Sequence, residues 1–398
     1  MEDLPAIAGG SPVRNCYLVF GSPSIGEEEI QEIAETIHSG WVGTGPRVKR
    51  FEELFRKYKN CRHTIAVSSG TAALHLSLLS LGIKPGDEVI TTPLTFAATA
   101  NSIVHAGGRP VFADVQLETM NIDPQEVEKK VSDKTRAILP VHFAGRPCEM
   151  DQLMAFARRH QLRVVEDAAH AIESTYKGRP IGTIGDLGCF SFYVTKNITT
   201  VEGGMVVTDQ EELASQIKRL ALHGLTQDAW QRFADEGFKH YEVVCAGFKY
   251  NMTDIQASIG IHQLEKIETK AQRRREIWEI YNQSFGELPL ILPFPTPPDQ
   301  RHAYHLYTPL LDLDRVRCTR DEFLQALHRE NIGAGIHYIA LPLHPFYQKT
   351  YGYHSGDFPN AEFISNRTFS LPLSAKLTDQ DVEDVIRSVK KILNYYRR

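Results

Sequence analysis

The sequence predicts an α/β protein with a mostly parallel central sheet carrying helices on both faces, plus a small C-terminal α+β domain. Three observations predict it. Short β-branched runs alternate with longer helix-compatible segments through the first half of the chain. One later pair of runs is joined by too few residues for a crossover helix, and a proline-rich passage precedes a second, shorter set of elements. A chain of 398 residues, 42% of them hydrophobic, is long enough for two domains. The division is expected at residues 1–275 for the large domain, with an N-terminal arm, and 276–398 for the small one.

Five runs supply the parallel strands: "TIAV" (64–67), "DEVITT" (87–92), "RPVFADV" (109–115), "RAILPV" (136–141) and "RVVED" (163–167). After "CFSFYVT" only residues 196–204 precede "MVVTD", so that pair is expected to be antiparallel. A capping box at Thr253 and Gln256 opens a long helical stretch running to Tyr281. Beyond the proline-rich 288–298 come an expected strand "HLYTPLLDL", a helix capped by Thr319 and Glu322, an expected strand "IGAGIHYIAL" and an amphipathic helix "DQDVEDVIRSVKKILNYY".

Composition narrows the function classes. A formal net charge of -5 and a pI near 6.4 provide no basic footprint for nucleic acid or an anionic membrane. The six cysteines are scattered without a CxxC pair and read as free thiols of a reducing compartment. "MEDLPAIAGG" has no basic n-region or apolar stretch of a signal peptide. The uncharged run Ala66–Ile83 carries serines, glycines and a histidine, so a buried strand, turn and helix fit it better than a membrane span. A cytoplasmic location is expected.

In a parallel α/β sheet, ligands gather at the carboxyl ends of the strands, and three segments meet that edge. In "AVSSGTAAL" a strand runs into Ser68, Ser69, Gly70 and Thr71 before a helix; small residues and a helix N-terminus suit a phosphate, and equally an ordinary serine cap. In "VVEDAAHA" Asp167 stands where a buried strand ends; it either caps the next helix or pairs with a protonated heteroaromatic nitrogen. In "FSFYVTKNITTVEGGMVVTD" Lys196 occupies a polar loop after a core strand. Most lysines are solvated charges, but a desolvated one at this edge can form a Schiff base. Phosphate cradle, aspartate, and a lysine 29 residues after it, in that order, match the three anchors of pyridoxal phosphate (PLP).

These motifs carry a resemblance. The chain resembles the DegT-type sugar aminotransferases, PLP-dependent enzymes of fold type I, nearly end to end: "SGWVGTGPRVKRFE", "VSSGTAALHLSLLSLGIKPGDEVITTPLTFAATAN", "VEDAAHA", "FSFYVTKNITTVEGG" and "GFKYNMTDIQASIG". The resemblance implies that Lys196 forms the aldimine and shuttles the proton, and that Asp167 pairs with the pyridine nitrogen. It further implies that Gly70, Thr71, Ala72 and Ser191 hold the phosphate, that Asn251 reaches it from the partner subunit, and that Phe96 lies against the ring. His170, where many relatives carry glutamine, is implied either at the ring hydroxyl or stacked nearby. A homodimer with shared active sites follows, with pyridoxamine phosphate as the intermediate and L-glutamate as the amino donor. "DAAHA" and "KNITTVEGG" look most like the branch that aminates C4 of UDP-linked 4-keto sugars, for lipopolysaccharide or other glycans. Val201 stands where many members have glycine, and "GIHYIALPLHPFY" puts His337 at that branch's active-site histidine, with His344 nearby.

Other readings are weaker. Gly43-Thr44-Gly45 follows a helical segment, lacks a third glycine and completes no P-loop. It is expected near a dimer interface or the substrate. His302 and His305 in "HAYH" lack a metal-ligand set and read as structural. A PLP-dependent sugar dehydratase of the same fold would replace the lysine with histidine, whereas Lys196 is present. A non-catalytic regulatory relative would not need Lys196, Asp167 and the cradle intact.

Overall fold

The computed structural model describes residues 4–226 and 241–398. Its centre is a seven-stranded sheet built from β1 (His63–Val67), β2 (Glu88–Thr91), β3 (Arg109–Phe112), β4 (Thr135–Leu139) and β5 (Arg163–Asp167). A two-residue hairpin, β6 (Thr175–Tyr176) and β7 (Arg179–Pro180), precedes β8 (Leu187–Ser191) and β9 (Gly204–Thr208). The spatial order is β1-β9-β8-β5-β4-β2-β3. β9 runs antiparallel to both neighbours, as the short connection requires, and the other strands are parallel.

The strands are buried on both faces, which explains their continuous apolar runs. One face packs a cluster that includes Phe55, Val164, Phe190 and Met205; the other packs Val165, Leu187, Cys189 and the helix Gly70–Ser80. Side chains alternate along a strand, so Val165 and Asp167 share the second face, and Leu187, Cys189 and Ser191 share it too. The helix Gly70–Ser80 is apolar nearly all round, with Leu74, Leu76 and Leu78 buried between the sheet and its neighbours.

The C-terminal third builds a separate cluster in which Trp278, Tyr281 and Phe285 meet Phe323, Leu327, Val385, Val389 and Ile392. The helix Ile267–Phe285 crosses the division expected at 275/276. The N-terminal arm packs on this C-terminal cluster. Buried Glu330 accepts the N–H groups of Ala6 and Val13, each at 2.7 Å, and Arg14 pairs with Asp381 and Asp384.

Three sequence expectations change. The helical stretch from Thr253 keeps its capping box but breaks at Lys266 into Asp254–Glu265 and Ile267–Phe285. The strand expected at 305–313 shrinks to Leu310–Leu311, paired with Leu290–Ile291, because the N–H groups of His305 and Leu306 go to Ala144 O instead. The strand expected at 332–341 is an irregular segment. Its hydrogen bonds are divided among Leu327 O, Leu18 O, Ser370 O and Pro93 O, so no single partner strand forms a ladder.

Candidate active site

Parallel strands end at one edge, and that edge opens on a cavity of about 630 Å³. Lys196, Asp167, His170, Gly70, Thr71 and Ser191 line it, together with Phe96 and His337. Asn251 and His344 do not line the cavity of their own chain.

The anion end is built by β1 running into the helix Gly70–Ser80. Ser69 caps that helix, its Oγ accepting the Ala72 N–H at 3.1 Å. Among the described residues the N–H groups of Gly70 and Thr71 find no acceptor, and they stand at the positive end of the helix dipole. The Ala72 N–H, expected to face phosphate, is already occupied by Ser69. Gly70 is required by close approach: a Cβ there would lie 2.8 Å from Ser191 Cβ and 3.2 Å from Ser191 Oγ. Both the serine cap and the open cradle are thus present.

Asp167 closes β5 and is buried at 4% exposure. Its Oδ2 accepts from Thr99 Oγ1 at 2.8 Å and its Oδ1 from the Ala169 N–H at 3.1 Å. Burial raises its carboxyl above the ordinary value, while Thr99, Ala169 and the Lys196 charge pull the other way. A desolvated carboxylate of this kind calls for a cationic partner in the cavity. Glu166, the preceding residue, points to the other face and serves the fold. It is fully buried against His142 and takes the N–H groups of Gly182, Ile184 and Gly185.

Lys196 sits five residues beyond the end of β8, its N–H donating to Tyr193 O at 2.9 Å. Burial pushes its ammonium down to about 8, with Asp167 opposing. It is therefore not the solvated surface charge that most lysines are; about a tenth of it is neutral at pH 7, against well under one part in a thousand for an ordinary lysine.

Three imidazoles surround this amine. Burial and the Lys196 charge hold His170 well below its ordinary value, and His337 at about 4. His170 Nε2 lies 3.3 Å from the Tyr338 hydroxyl and its Nδ1 is buried without a partner. His337 Nδ1 is 2.7 Å from Ser370 Oγ, and Phe20 of the N-terminal arm stacks on its ring at 5.5 Å. The third is His305, which the sequence suggested was structural: it lines the cavity, 4.4 Å from the His170 ring. Its neighbour His302 is structural, packed on Trp278 and accepting the Tyr304 N–H.

Thr99, Phe20, Tyr338 and His305 are the participants that sequence reasoning missed. Phe96 is 63% exposed at the start of the helix Ala97–His105, with its ring 6.2 Å from that of Tyr338. Asn251 lies beside Val67, its Nδ2 donating to Thr44 Oγ1 at 2.6 Å while its buried Oδ1 is unpartnered. His344 stands at the N-terminal end of the short helix Pro345–Tyr351, its side chain making no capping hydrogen bond. Val201 holds a left-handed φ of 68°, a conformation that suits glycine better than a β-branched residue.

The cavity fits PLP on the chain's own evidence. Two free N–H groups and a hydroxyl would suit an anion, a desolvated carboxylate a ring nitrogen, an unpartnered imidazole nitrogen a ring hydroxyl, and a lysine of lowered pKa an aldehyde. Among the described residues no group of three or more His, Cys, Asp or Glu side chains is arranged to hold a metal ion. No helix among them is long and apolar enough to cross a membrane, and all six cysteines are free.

Residues 23–390 match the model of the DegT/DnrJ/EryC1/StrS aminotransferase family. Over 97% of its length the chain is 53% identical to protein MJ1066 of Methanocaldococcus jannaschii, covering all of it. Over 96% it is 50% identical to the spore coat polysaccharide biosynthesis protein SpsC of Bacillus subtilis, covering 98% of that protein. Among solved structures, the "putative sugar aminotransferase Spr1654" of Streptococcus pneumoniae, determined in PLP and PMP forms, superposes with a TM-score of 0.88. For its PMP form the identity is 33%, with 95% of this chain and 98% of that one covered.

Proposed function

The chain belongs to the DegT/DnrJ/EryC1/StrS aminotransferase family, and from that premise we propose that it moves an amino group from L-glutamate to a nucleotide-linked keto sugar. A UDP-linked 4-keto sugar is the preferred acceptor. The observation that carries the reading is the juxtaposition of Lys196, lowered to about 8 by burial, with desolvated Asp167 in one cavity.

When bound, PLP supplies an aldehyde that receives the amino group and a ring that withdraws electrons from the adjacent carbon. Asp167 holds negative charge where the ring nitrogen binds and keeps it protonated. The N–H groups of Gly70 and Thr71 and the Ser191 hydroxyl bind the phosphate. Lys196 Nζ takes a proton from the donor's α carbon and later returns one to the sugar carbon. Neutral His170 offers a hydrogen bond without adding a second positive charge beside Lys196, and Phe96 shields one side from water. His337 reaches the sugar substrate, and His344 flanks the segment that carries it.

A homodimer completes the site. Trp41 and Val42, beside Thr44 and its partner Asn251, are exposed apolar side chains suited to a second copy. In that dimer the second N–H of the Nδ2 group of Asn251 of the partner subunit would donate to the phosphate, since its Oδ1 can only accept. The division into a large PLP-binding domain, 1–275, and a small domain, 276–398, belongs to the same proposal. SpsC is named for polysaccharide biosynthesis, which supports a supply of amino sugar for a glycan; a cytoplasmic location belongs to the same proposal.

The test is the visible spectrum of the purified protein. The proposal expects a cofactor band that bleaches with glutamate and returns on adding a UDP-4-keto sugar. A band unmoved by glutamate removes the donor assignment, and failure to return with any nucleotide-linked keto sugar removes the acceptor.

A further inference from the structure

We propose that Asn197 is a positioning residue of this site, which fixes His305 as the Nδ1–H tautomer so that a bare Nε2 is left for the ligand in the cavity. The juxtaposition is a chain of four side chains, three of them buried (Arg274, Glu173 and His305) and one half-buried (Asn197). Arg274 Nη2 is paired with Glu173 Oε1, and its Nε also donates to Ala303 O at 3.5 Å. The other carboxylate oxygen, Glu173 Oε2, accepts from Asn197 Nδ2 at 2.8 Å. The same amide nitrogen donates to Ala303 O at 3.0 Å. His305 Nδ1 lies 2.9 Å from Asn197 Oδ1.

The direction of every bond is forced. Arg274 can only donate, and ionised Glu173 can only accept. Asn197 faces two acceptors, the Glu173 carboxylate and the Ala303 carbonyl, with one amide atom, so that atom must be the NH₂ group. Its oxygen is thereby turned to His305, and an amide oxygen cannot donate. The proton of the neutral ring must therefore sit on Nδ1, which leaves Nε2 as a lone pair.

Glu173 and Arg274 are 2% and 3% exposed, so the clamp is sheltered from competing water. His305 itself is buried against the cavity, beside the His170 ring. Asn197 follows Lys196 directly, so the clamp also tethers the loop that carries the reactive amine. His305 then acts as an acceptor for an N–H or O–H group of the bound substrate, and it cannot serve as a proton donor there. Arg274 lies on the helix Ile267–Phe285, which ties the tautomer to the seating of that helix.

The tautomer is a property of the chain alone; the positioning role rests on the aminotransferase reading. The full-length protein is labelled with ¹⁵N in its histidine rings, and long-range ¹H–¹⁵N correlation spectra are recorded across the neutral pH range. His305→Gln identifies the signal among the 16 histidines. The wild-type His305 is expected to be neutral and protonated on Nδ1. Glu173→Gln, whose amide can donate, frees Asn197 to turn and moves the proton wholly or partly to Nε2. An Nε2–H or doubly protonated His305 in the wild type overturns the inference without any variant. An unchanged tautomer in both Glu173→Gln and Asn197→Ala overturns it as well.

For the positioning role, Asn197→Ala is expected to slow the glutamate-driven bleaching on the order of 100-fold with cofactor still bound. An unchanged rate overturns that role. A wild-type protein that never takes up PLP overturns the aminotransferase reading instead and leaves the tautomer to be judged by its own spectrum.

Discussion

Asp167→Asn isolates a single charge. The asparagine keeps the side-chain shape, and its oxygen can still accept the Ala169 N–H. Its NH₂ group, in place of Oδ2, can donate to Thr99 Oγ1, which is free to donate onward to Thr95 Oγ1 at 2.8 Å. No buried polar atom is stranded, so the fold should be spared. What is lost is the attraction between a carboxylate and a protonated ring nitrogen. At about 4 Å and an effective dielectric of about 20 this attraction is worth about 4 kcal/mol, or about three decades in the proton affinity of the nitrogen.

The assay is a single-turnover measurement of the glutamate half-reaction, following the visible band of the PLP-loaded protein. The variant should react on the order of 1,000-fold more slowly than the wild type. A variant within tenfold of the wild type, with cofactor bound, would refute the assignment of Asp167 to the ring nitrogen.

Three further outcomes follow from the same geometry. Cofactor uptake by the cofactor-free protein needs the neutral Lys196 amine; burial depresses its pKa, so the neutral form appears as pH rises through about 8 and not 10.5. The uptake rate should show that midpoint, and Asp167→Asn, which removes the opposing charge, should move it lower; a midpoint above about 10 contradicts the burial argument. Thr99→Val strands one oxygen of Asp167 at a cost of about 1–3 kcal/mol and raises its pKa further, so the acid limb of the pH–rate profile should shift upward. Gly70→Ala drives a Cβ to 2.8 Å from Ser191 Cβ; overpacking of about 1–3 kcal/mol should weaken PLP retention about 10- to 100-fold, measured by equilibrium dialysis.

The legible parts of the site are those written in one stretch of chain. Asp167 at the end of β5, the cradle after β1 and Lys196 after β8 each follow a strand whose apolar run marks it, so their place at the sheet edge could be read directly. The antiparallel β8–β9 pair followed from a short connection, and the caps at Thr253 and Thr319 from their box residues. Thr99 was illegible because its partner is 68 residues away and nothing local distinguishes it from any helical threonine. His302 and His305 share one short motif, yet packing sends the first onto Trp278 and the second into the cavity. Segment 332–341 carries a strand-like composition, but its backbone partners come from four separate regions of the chain, which no local pattern encodes.

The central claim is that Lys196 is the residue that bonds the cofactor, and borohydride reduction of the PLP-loaded protein tests it most directly. After reduction, digestion and mass spectrometry, the cofactor's mass should appear on the peptide bearing Lys196 and vanish in Lys196→Ala. A label found on another lysine, or none at all on a protein that binds PLP, would contradict the account.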